Sequence, residues 1–387
     1  MVTISLIAFF LAIVPTIVFC RNLSVFQTMK SPQSPAVNPD LVSVLVPARN
    51  EEAGITKTLT HLLASDYQAL EIIVLDDHSE DLTAELVKDF ARADSRVKIR
   101  HSDELPAGWC GKQFACWQLS KAATGRYLLF LDADVRIHPD AISKTVSQFV
   151  DGNSNLISCF PKQETGSLLE RLLIPLIHFV LLGFLSIRQM RIRSEPAFAA
   201  GCGQFFFTDR ESYLAAGGHK EIRGSLHDGI QLPRTYRTAG LRTDIFDGGD
   251  LATVRMYSNA REVWGGLQKN ASEGLGHPRL IVPVSLLLFI GQILPFLAIG
   301  FSHLLSPVGF YIFLAAALVS WLPRFVGTIR FSQSWIGALL HPLGVLLLLM
   351  IQWTALIKLM QGKGGNWKGR SYQPLTGSSV VQDVRIR

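Results

Sequence analysis

The sequence predicts an α/β domain built on a mostly parallel sheet and held at a membrane by apolar helices on both sides of it. Three observations lead there. Apolar residues make up 48% of the 387 residues and charged residues only 18%. They are unevenly spread: residues 2–19, 280–302 and 335–357 each approach the ~20 residues that cross a bilayer, and 308–322 forms a shorter fourth window. Between the first two windows, short apolar runs alternate with amphipathic stretches, as in a sheet covered by helices on both faces.

The first window reads as an uncleaved anchor over residues 1–22. No Lys or Arg precedes it, and Pro15-Thr16-Ile17-Val18-Phe19, just before Cys20, lacks a small-residue cleavage site. Arg21, Lys30, Arg49 and Lys57 follow, so the positive-inside tendency puts the middle segment in the cytoplasm of a multi-pass plasma-membrane protein. The five cysteines, Cys20, Cys110, Cys116, Cys159 and Cys202, show no C-x-x-C spacing, which argues against a disulfide framework or a zinc site. The net charge of +6 gathers partly at Arg188, Arg191 and Arg193 beside an apolar stretch and in the tail. Such clusters suit anionic headgroups, and nucleic acid is excluded as a partner because no aromatic-basic recognition module accompanies them.

In the middle segment, residues 41–47 (LVSVLVP) form an expected strand, followed by a helix over 51–64 with Ile55, Leu59, Leu62 and Leu63 on one face. A second strand over 70–75 ends in Asp76-Asp77 and leads to a helix over 81–93. A third strand is expected over 97–101, a helix over 112–123, and a fourth strand over 127–131 that ends in Asp132-Ala133-Asp134. Ligands of parallel sheets bind outside the carboxyl ends of the strands, which is where both aspartate pairs fall. Two carboxylates that close stay ionised only beside a positive charge. Oxygen ligands one residue apart suit Mg²⁺ or Mn²⁺, with water and phosphate oxygens completing the shell; the plainer reading is an Asx-capped turn.

VSVLVPARNEEAGI (42–55), IIVLDDHSED (72–81) and LLFLDADVRIHPDAI (128–142), in this order and spacing, resemble the N-terminal half of the family 2 glycosyltransferases. The resemblance runs from about residue 41 to 270. It implies a GT-A fold, a Rossmann-like sheet binding a nucleotide-diphosphate sugar, with a UDP-sugar ranked first. Carried over by position, Pro47, Ala48, Arg49 and Glu51 line the nucleotide pocket. Asp77 contacts the uracil or ribose, while Asp132 and Asp134 handle the sugar and the metal. LPAGWCGKQFACWQL (105–119) and WKGRSY (367–372) are similar to the membrane-anchored members found in carotenoid and hopanoid gene neighbourhoods. That similarity implies that Lys112 meets the diphosphate, against the plainer reading of a solvated lysine in a first helical turn. For Trp109, core packing is favoured over a wall of the site.

Family members place an acidic pair before a helix in the second half of the domain. In GSLHDGIQLPRTYRTAGLRT (224–243), Asp228 matches the second acid and His227 takes the place of the first. As the implied base of an inverting transfer, Asp228 takes the acceptor's proton; with a carboxylate acceptor it only positions, and a helix N-cap is the plainer reading. The processive Q-x-x-R-W motif is absent: QLPRT (231–235) follows Asp228 too closely, and EVWGGLQKNASEG (262–274) stands at the later place. Single-sugar transfer is therefore preferred to polymer synthesis. A catalytically inactive nucleotide-binding scaffold is disfavoured because Asp76, Asp77, Asp132, Asp134 and Asp228 are all present.

Residues 168–187 are apolar but interrupted by Glu170, Arg171, Pro175 and His178. A crossing there would part Asp134 from Asp228, so an interfacial helix is expected. The resulting divisions are a transfer domain over 41–278, a membrane region of two or three helices over 280–358 and a basic tail over 359–387. The membrane setting and the missing processive motif point to a lipid acceptor, a carotenoid, hopanoid or other polyisoprenoid. Four spans would leave the tail outside, against the charge rule; one re-entrant or interfacial segment, with His341-Pro342 as a break, removes the conflict.

Overall fold

The computed structural model describes residues 2–32, 39–362, 366–367 and 370–371. Helix α1 (Val2–Leu23) is followed by the expected parallel unit: β1 (Val42–Ala48), α2 (Ile55–Leu63), β2 (Leu70–Asp76), α3 (Thr83–Ala93), β3 (Val97–His101), α4 (Gly111–Ala122) and β4 (Tyr127–Leu131). Alternation along the strands divides the core. Val44, Val46, Ile72, Val74, Leu129 and Leu131 pack on Ile55, Leu59 and Leu62 of α2 and Val87 of α3. Leu45, Ile73, Leu75, Leu128 and Phe130 pack on Ala115 and Leu119 of α4. Both faces are buried, which is why these strands read as nearly continuous apolar runs.

Helix α2 starts four residues later than its apolar pattern suggests, because the turn before it is held by side chains from the next loop. Ser79 Oγ accepts the Asn50 amide at 3.0 Å and Thr83 Oγ1 accepts that of Glu51 at 2.8 Å. Likewise α3 starts at Thr83 because the Asp81 carboxylate accepts both the amide and the hydroxyl of Thr83, at 3.0 and 2.5 Å.

At the amino edge of the sheet, buried Glu71 of β2 accepts hydrogen bonds from Ser43 (2.5 Å), the Thr124 amide (2.6 Å) and hydroxyl (2.8 Å), and Lys98 (2.8 Å). Removing the acceptor leaves several buried donors unpaired. Glu71→Ala is expected to cost about 3 kcal/mol, read as a lowered thermal midpoint; an unchanged midpoint would contradict this role.

The sheet continues through β5 (Arg136–Ile137), α5 (Ala141–Asp151) and β6 (Leu156–Gln163). After a membrane-side excursion, α6 (Leu168–Leu173), α7 (Leu176–Phe184) and α8 (Ile187–Ile192), it resumes with β7 (Phe205–Asp209), α9 (Arg210–Ala215), α10 (Gly218–Glu221), α11 (Asp228–Thr238) and β8 (Thr243–Val254). The strand order is β3-β2-β1-β4-β7-β6-β8-β5, with β7 antiparallel to both neighbours. In place of the single interfacial helix expected over 168–187 stand two short ones, α6 and α7, with α8 beginning at Ile187. Pro175 lacks the amide that would continue α6, and the chain is extended at Leu185–Ser186. Asn22 of α1 satisfies that second break by donating to the carbonyls of Leu182 (2.7 Å) and Leu185 (2.5 Å) and accepting the Ile187 amide (3.1 Å).

Helix α12 (Ala260–Ala271) leads into α13 (Ile281–Leu288), a π-helical turn at Phe289–Ile293 and α14 (Leu294–Gly300), then α15 (Pro307–Arg330), α16 (Trp335–Leu339) and α17 (His341–Met360). Among the described residues, four stretches are long and apolar enough to cross a membrane: Val2–Leu23, Ile281–Gly300, Pro307–Arg330 and His341–Met360. The short window at 308–322 becomes a 24-residue helix because Pro323 and buried Arg324 lie inside it and do not end it. The window at 335–357 divides at Leu340, beside the His341-Pro342 pair.

Packing gives these helices a direction. Ala8, Ala298 and Phe313 meet at one end of the bundle, whereas Phe19, Val326 and Phe331 cluster with Ile245 of the sheet at the other. So α1 and α15 run toward the sheet and α13–α14 runs away from it. Arg330, the last residue of α15, pairs with Asp247 of β8 at 2.8 Å. Helix α17 lies against several elements: Gly344 meets the Leu172 carbonyl of α6, His341 bonds Gln292 of the π-helical turn at 3.1 Å, and Thr354 and Lys358 bond Gln268 of α12 at 2.9 and 2.5 Å. Beyond it, β9 (Asn366–Trp367) and β10 (Arg370–Ser371) pair as a small antiparallel hairpin. Of the expected basic tail over 359–387, residues 363–365, 368–369 and 372–387 lie outside the described residues.

Candidate active site

The carboxyl edge of the sheet gathers the acids. Asp132 and Asp134 follow β4, and Lys112 in the first turn of α4 reaches Asp132. Its Nζ lies 2.6 Å from Asp132 Oδ1 and 2.9 Å from Asp228 Oδ2, and donates to the Gly203 carbonyl at 3.2 Å. One ammonium thus bridges an acid from each half of the domain. Gly203 makes room for this, because a Cβ there would run into the Asp228 carboxylate.

Charge sets the protonation of the group. Burial pushes Asp228 up, but Lys112 outweighs it and brings its carboxyl down to about 2. Burial alone would weaken the Lys112 ammonium, yet Asp132 and Asp228 hold it well above the ordinary lysine range. Asp134 gains no such partner: burial, then Asp132 and Glu51, raise its carboxyl to about 8. A half-buried, mutually repelling set of hard oxygen donors fits a divalent cation, whose charge would let Asp134 ionise. Among the described residues no cluster of three or more His, Cys, Asp or Glu could hold an ion. A bound ion would therefore need ligand and water oxygens as well as these carboxylates.

Pro47, Arg49, Glu51, Lys112, Asp132, Asp134 and Asp228 line one cavity of about 1470 Å³. That exceeds the roughly 300–1,000 Å³ of a typical small-molecule pocket, leaving space for two reactants. Ala48 and Asp77 do not line it. Ala48 is buried and its carbonyl accepts the Asp77 amide at 2.8 Å. Asp77 is buried too, and its carboxylate is paired with Arg370 at 2.6 Å. Arg49 ties the strand ends together by donating to the carbonyls of Asp77 (2.6 Å) and His78 (3.0 Å). Asp228 is the first residue of α11 rather than its cap, which is His227; its carboxylate takes the Gly229 amide at 2.8 Å and faces Lys112. Trp109 packs against Phe114 and Trp117, with ring centroids 5.2 and 5.3 Å away, and is absent from the cavity lining.

The structure adds residues that the motifs do not single out. Lys269 of α12 and Tyr257 line the same cavity. Burial, then the neighbouring Lys112, pull Lys269 below the ordinary lysine range. Its only sequence signal is its place in the block that stands where the processive motif would be.

The profile described as Glycosyl transferase family 2 matches residues 43–213, from β1 through β7 and most of α9. The chain carries a family 2 glycosyltransferase domain over these residues. A relative from Staphylococcus aureus (strain USA300), 4,4'-diaponeurosporenoate glycosyltransferase, is 29% identical over 263 residues, covering 65% of this chain and 67% of its own length. Among solved structures, the mannosyltransferase PcManGT of Pyrobaculum calidifontis, in complex with GDP-Man and Mn²⁺, matches with a TM-score of 0.54 at 16% identity. The match covers 92% of this glycosyltransferase and 98% of that chain. The architecture is accordingly GT-A, with apolar helices on both sides of the sheet domain in sequence.

Proposed function

We propose that this glycosyltransferase works at the membrane and moves one sugar, with inversion, from a nucleotide-diphosphate sugar to a lipophilic acceptor, a carotenoid, hopanoid or other polyisoprenoid lipid. The observation that carries the reading is the composition of the cavity wall. Besides the acids, the same cavity is lined by Leu173 of α6, Leu176, Ile177, Val180 and Phe184 of α7, and Leu348 of α17. A polyisoprenoid tail stays in the hydrocarbon while its head reaches the acids, since each buried CH₂ contributes about 0.8 kcal/mol and extraction of the chain into water is prohibitive. Within this reading residues 1–22 anchor the chain, 41–278 carry the transfer on the cytoplasmic face of the plasma membrane, and 280–358 form the membrane region.

The acceptor oxygen attacks the anomeric carbon as the bond from that carbon to the diphosphate oxygen breaks, and the electron pair leaves with the diphosphate. Lys112 and Lys269 face the charge that develops there. A Mg²⁺ or Mn²⁺ held by Asp134 with Asp132 would supply further neutralisation of the diphosphate. A hydroxyl acceptor gives its proton to Asp228; a carboxylate acceptor has none to give, and Asp228 then positions it. The carboxyl at about 2 makes Asp228 a weak base while Lys112 holds it, which supports a carboxylate head. The S. aureus relative is named for such a carboxylate. A UDP-sugar is the preferred donor; Mn²⁺ is the ion that accompanies GDP-Man in the Pyrobaculum structure.

Val180→Asp tests the apolar lining. Transfer to lipid is expected to fall at least tenfold, because a carboxylate beside the acceptor chain must be desolvated. Hydrolysis of the nucleotide sugar without acceptor should stay within about threefold. Equal losses in both assays would contradict an acceptor path along α7.

A further inference from the structure

We propose that a second cavity, between the end of β6 and the turn after α15, holds the headgroup of phosphatidylethanolamine. The proposal rests on the membrane placement given above and does not depend on the acceptor's identity. The cavity measures about 230 Å³. Its walls come from Pro161–Gln163 of β6, Asp247 and Asp250 of β8, Pro175 and His178 at the α6–α7 break, and Arg330–Gln333 after α15. Phe160 alone is shared with the cavity that contains the acids. The size lies below the roughly 300–1,000 Å³ of a typical small-molecule pocket and suits a headgroup whose acyl chains stay outside.

The cavity is built into the sheet. Strand β8 pairs with β6 from Thr243 to Gly248, opposite Leu156 to Pro161; Lys162 is then paired with Thr253, so residues 249–252 have no partner on β6. Pushed out of that ladder, the bulge puts Gly249 and Asp250 into the cavity wall. On the other side, Ser332 holds φ at +52°, a left-handed conformation uncommon for a residue with a Cβ. Its neighbours are fixed: Arg330 pairs with Asp247 at 2.8 Å, and Gln333 Nε2 donates to His178 Nδ1 at 3.3 Å. Asp247 and His178 are both buried, so polar groups belong to the wall itself.

The charges in the wall balance, Lys162 and Arg330 against Asp247 and Asp250. Asp247 is taken up by Arg330 and by the Gly249 amide at 3.0 Å. Three groups remain. Lys162 is exposed and makes no ion pair among the described residues. Asp250 Oδ1 and Gln163 Oε1 are buried atoms without a hydrogen bond, although Asp250 Oδ2 lies 3.5 Å from Lys144 and Gln163 Nε2 donates to Gln204 at 2.8 Å. Two unpaired acceptors need N–H or O–H donors, and the lysine needs an anion. A primary ammonium supplies three donors, and a phosphate meets Lys162 and the N–H groups that Arg330 has left. Choline has no N–H to give, and a glycerol head brings no cation to Asp250. The lipid form follows from position. Helices α1 and α15 run toward the sheet, and the cavity lies where α15 ends and beside Thr28, just after α1, which is headgroup depth for helices that cross a bilayer.

The test places the full chain in nanodiscs of phosphatidylcholine mixed equally with phosphatidylethanolamine or with phosphatidylglycerol, and reads the lipid that stays bound after mild release by native mass spectrometry. Sugar transfer is assayed in the same discs, so a failed lipid site and a failed transfer reading are told apart. The wild type is expected to retain ethanolamine lipid about tenfold over choline lipid, the scale of one charge-assisted hydrogen bond. Asp250→Asn should bring that ratio close to unity. Lys162→Ala should lower retention of every phospholipid and leave the ratio unchanged. Equal retention of ethanolamine and choline lipid by the wild type, a preference for phosphatidylglycerol, or an unchanged ratio in Asp250→Asn would overturn the proposal. Displacement of the bound lipid by soluble glycerophosphoethanolamine at equal concentration would also overturn it, by marking a soluble ligand. If Asp250→Asn does not fold, Gln163→Met decides, and the wild-type ratio in it would count against the site. A chain that does not enter nanodiscs would sink the membrane placement and the proposal with it.

Discussion

Lys112→Ala is expected to lower sugar transfer by about 10²–10³, the usual cost of losing one preorganised group that stabilises developing charge. The ammonium is the bridge between Asp132 and Asp228, at 2.6 and 2.9 Å. Without it two half-buried carboxylates face each other beside Asp134, and Asp228 loses the partner that keeps it ionised. The defect should therefore exceed the loss of a phosphate contact. Asp228 would rise toward protonation, and the acceptor would meet a neutral acid. Arg at the same position should restore part of the rate if charge alone matters. A rate within threefold of wild type in a folded Lys112→Ala protein would show that the bridge is incidental to transfer.

Asp134→Ala is expected to remove metal-dependent turnover, by at least about 10³. Asp134 is the acid with a carboxyl raised to about 8, by burial, then Asp132 and Glu51. Chelator should abolish transfer by the wild type, and added Mn²⁺ or Mg²⁺ should restore it, whereas neither ion should rescue Asp134→Ala. Full activity of the variant in metal-free buffer would contradict the assignment.

Much of this site is legible in the sequence because it is local. The apolar runs that become β1, β2 and β4 each end on the polar residues that matter, so Arg49, Asp77, Asp132 and Asp134 could be placed at one edge of a sheet before any coordinates. What the sequence hides depends on contacts between distant segments. Lys112 reads as readily as a solvated lysine until Asp228, more than a hundred residues on, is brought to its ammonium. The antiparallel insertion of β7 between β4 and β6 carries no periodicity signal, since its apolar run suits either direction. The break after α7 depends on Asn22 of α1, which pairs the backbone groups opened there, and hydropathy registers only one apolar stretch. Helix α17 has the length and composition of a crossing helix; its hydrogen bonds to α12 reveal its course. Arg370 is invisible as a partner of Asp77 for the same reason.

The measurement that bears most directly on the account is product analysis with the full chain in nanodiscs, supplied with radiolabelled UDP-glucose or GDP-mannose and divalent ion. Host lipids and soluble sugars are offered as competing acceptors, and the labelled product is identified by mass. The account predicts label in a lipid carrying one added sugar, formed only with the divalent ion present. Label in a lengthening polysaccharide, or only in water-soluble products, would contradict it.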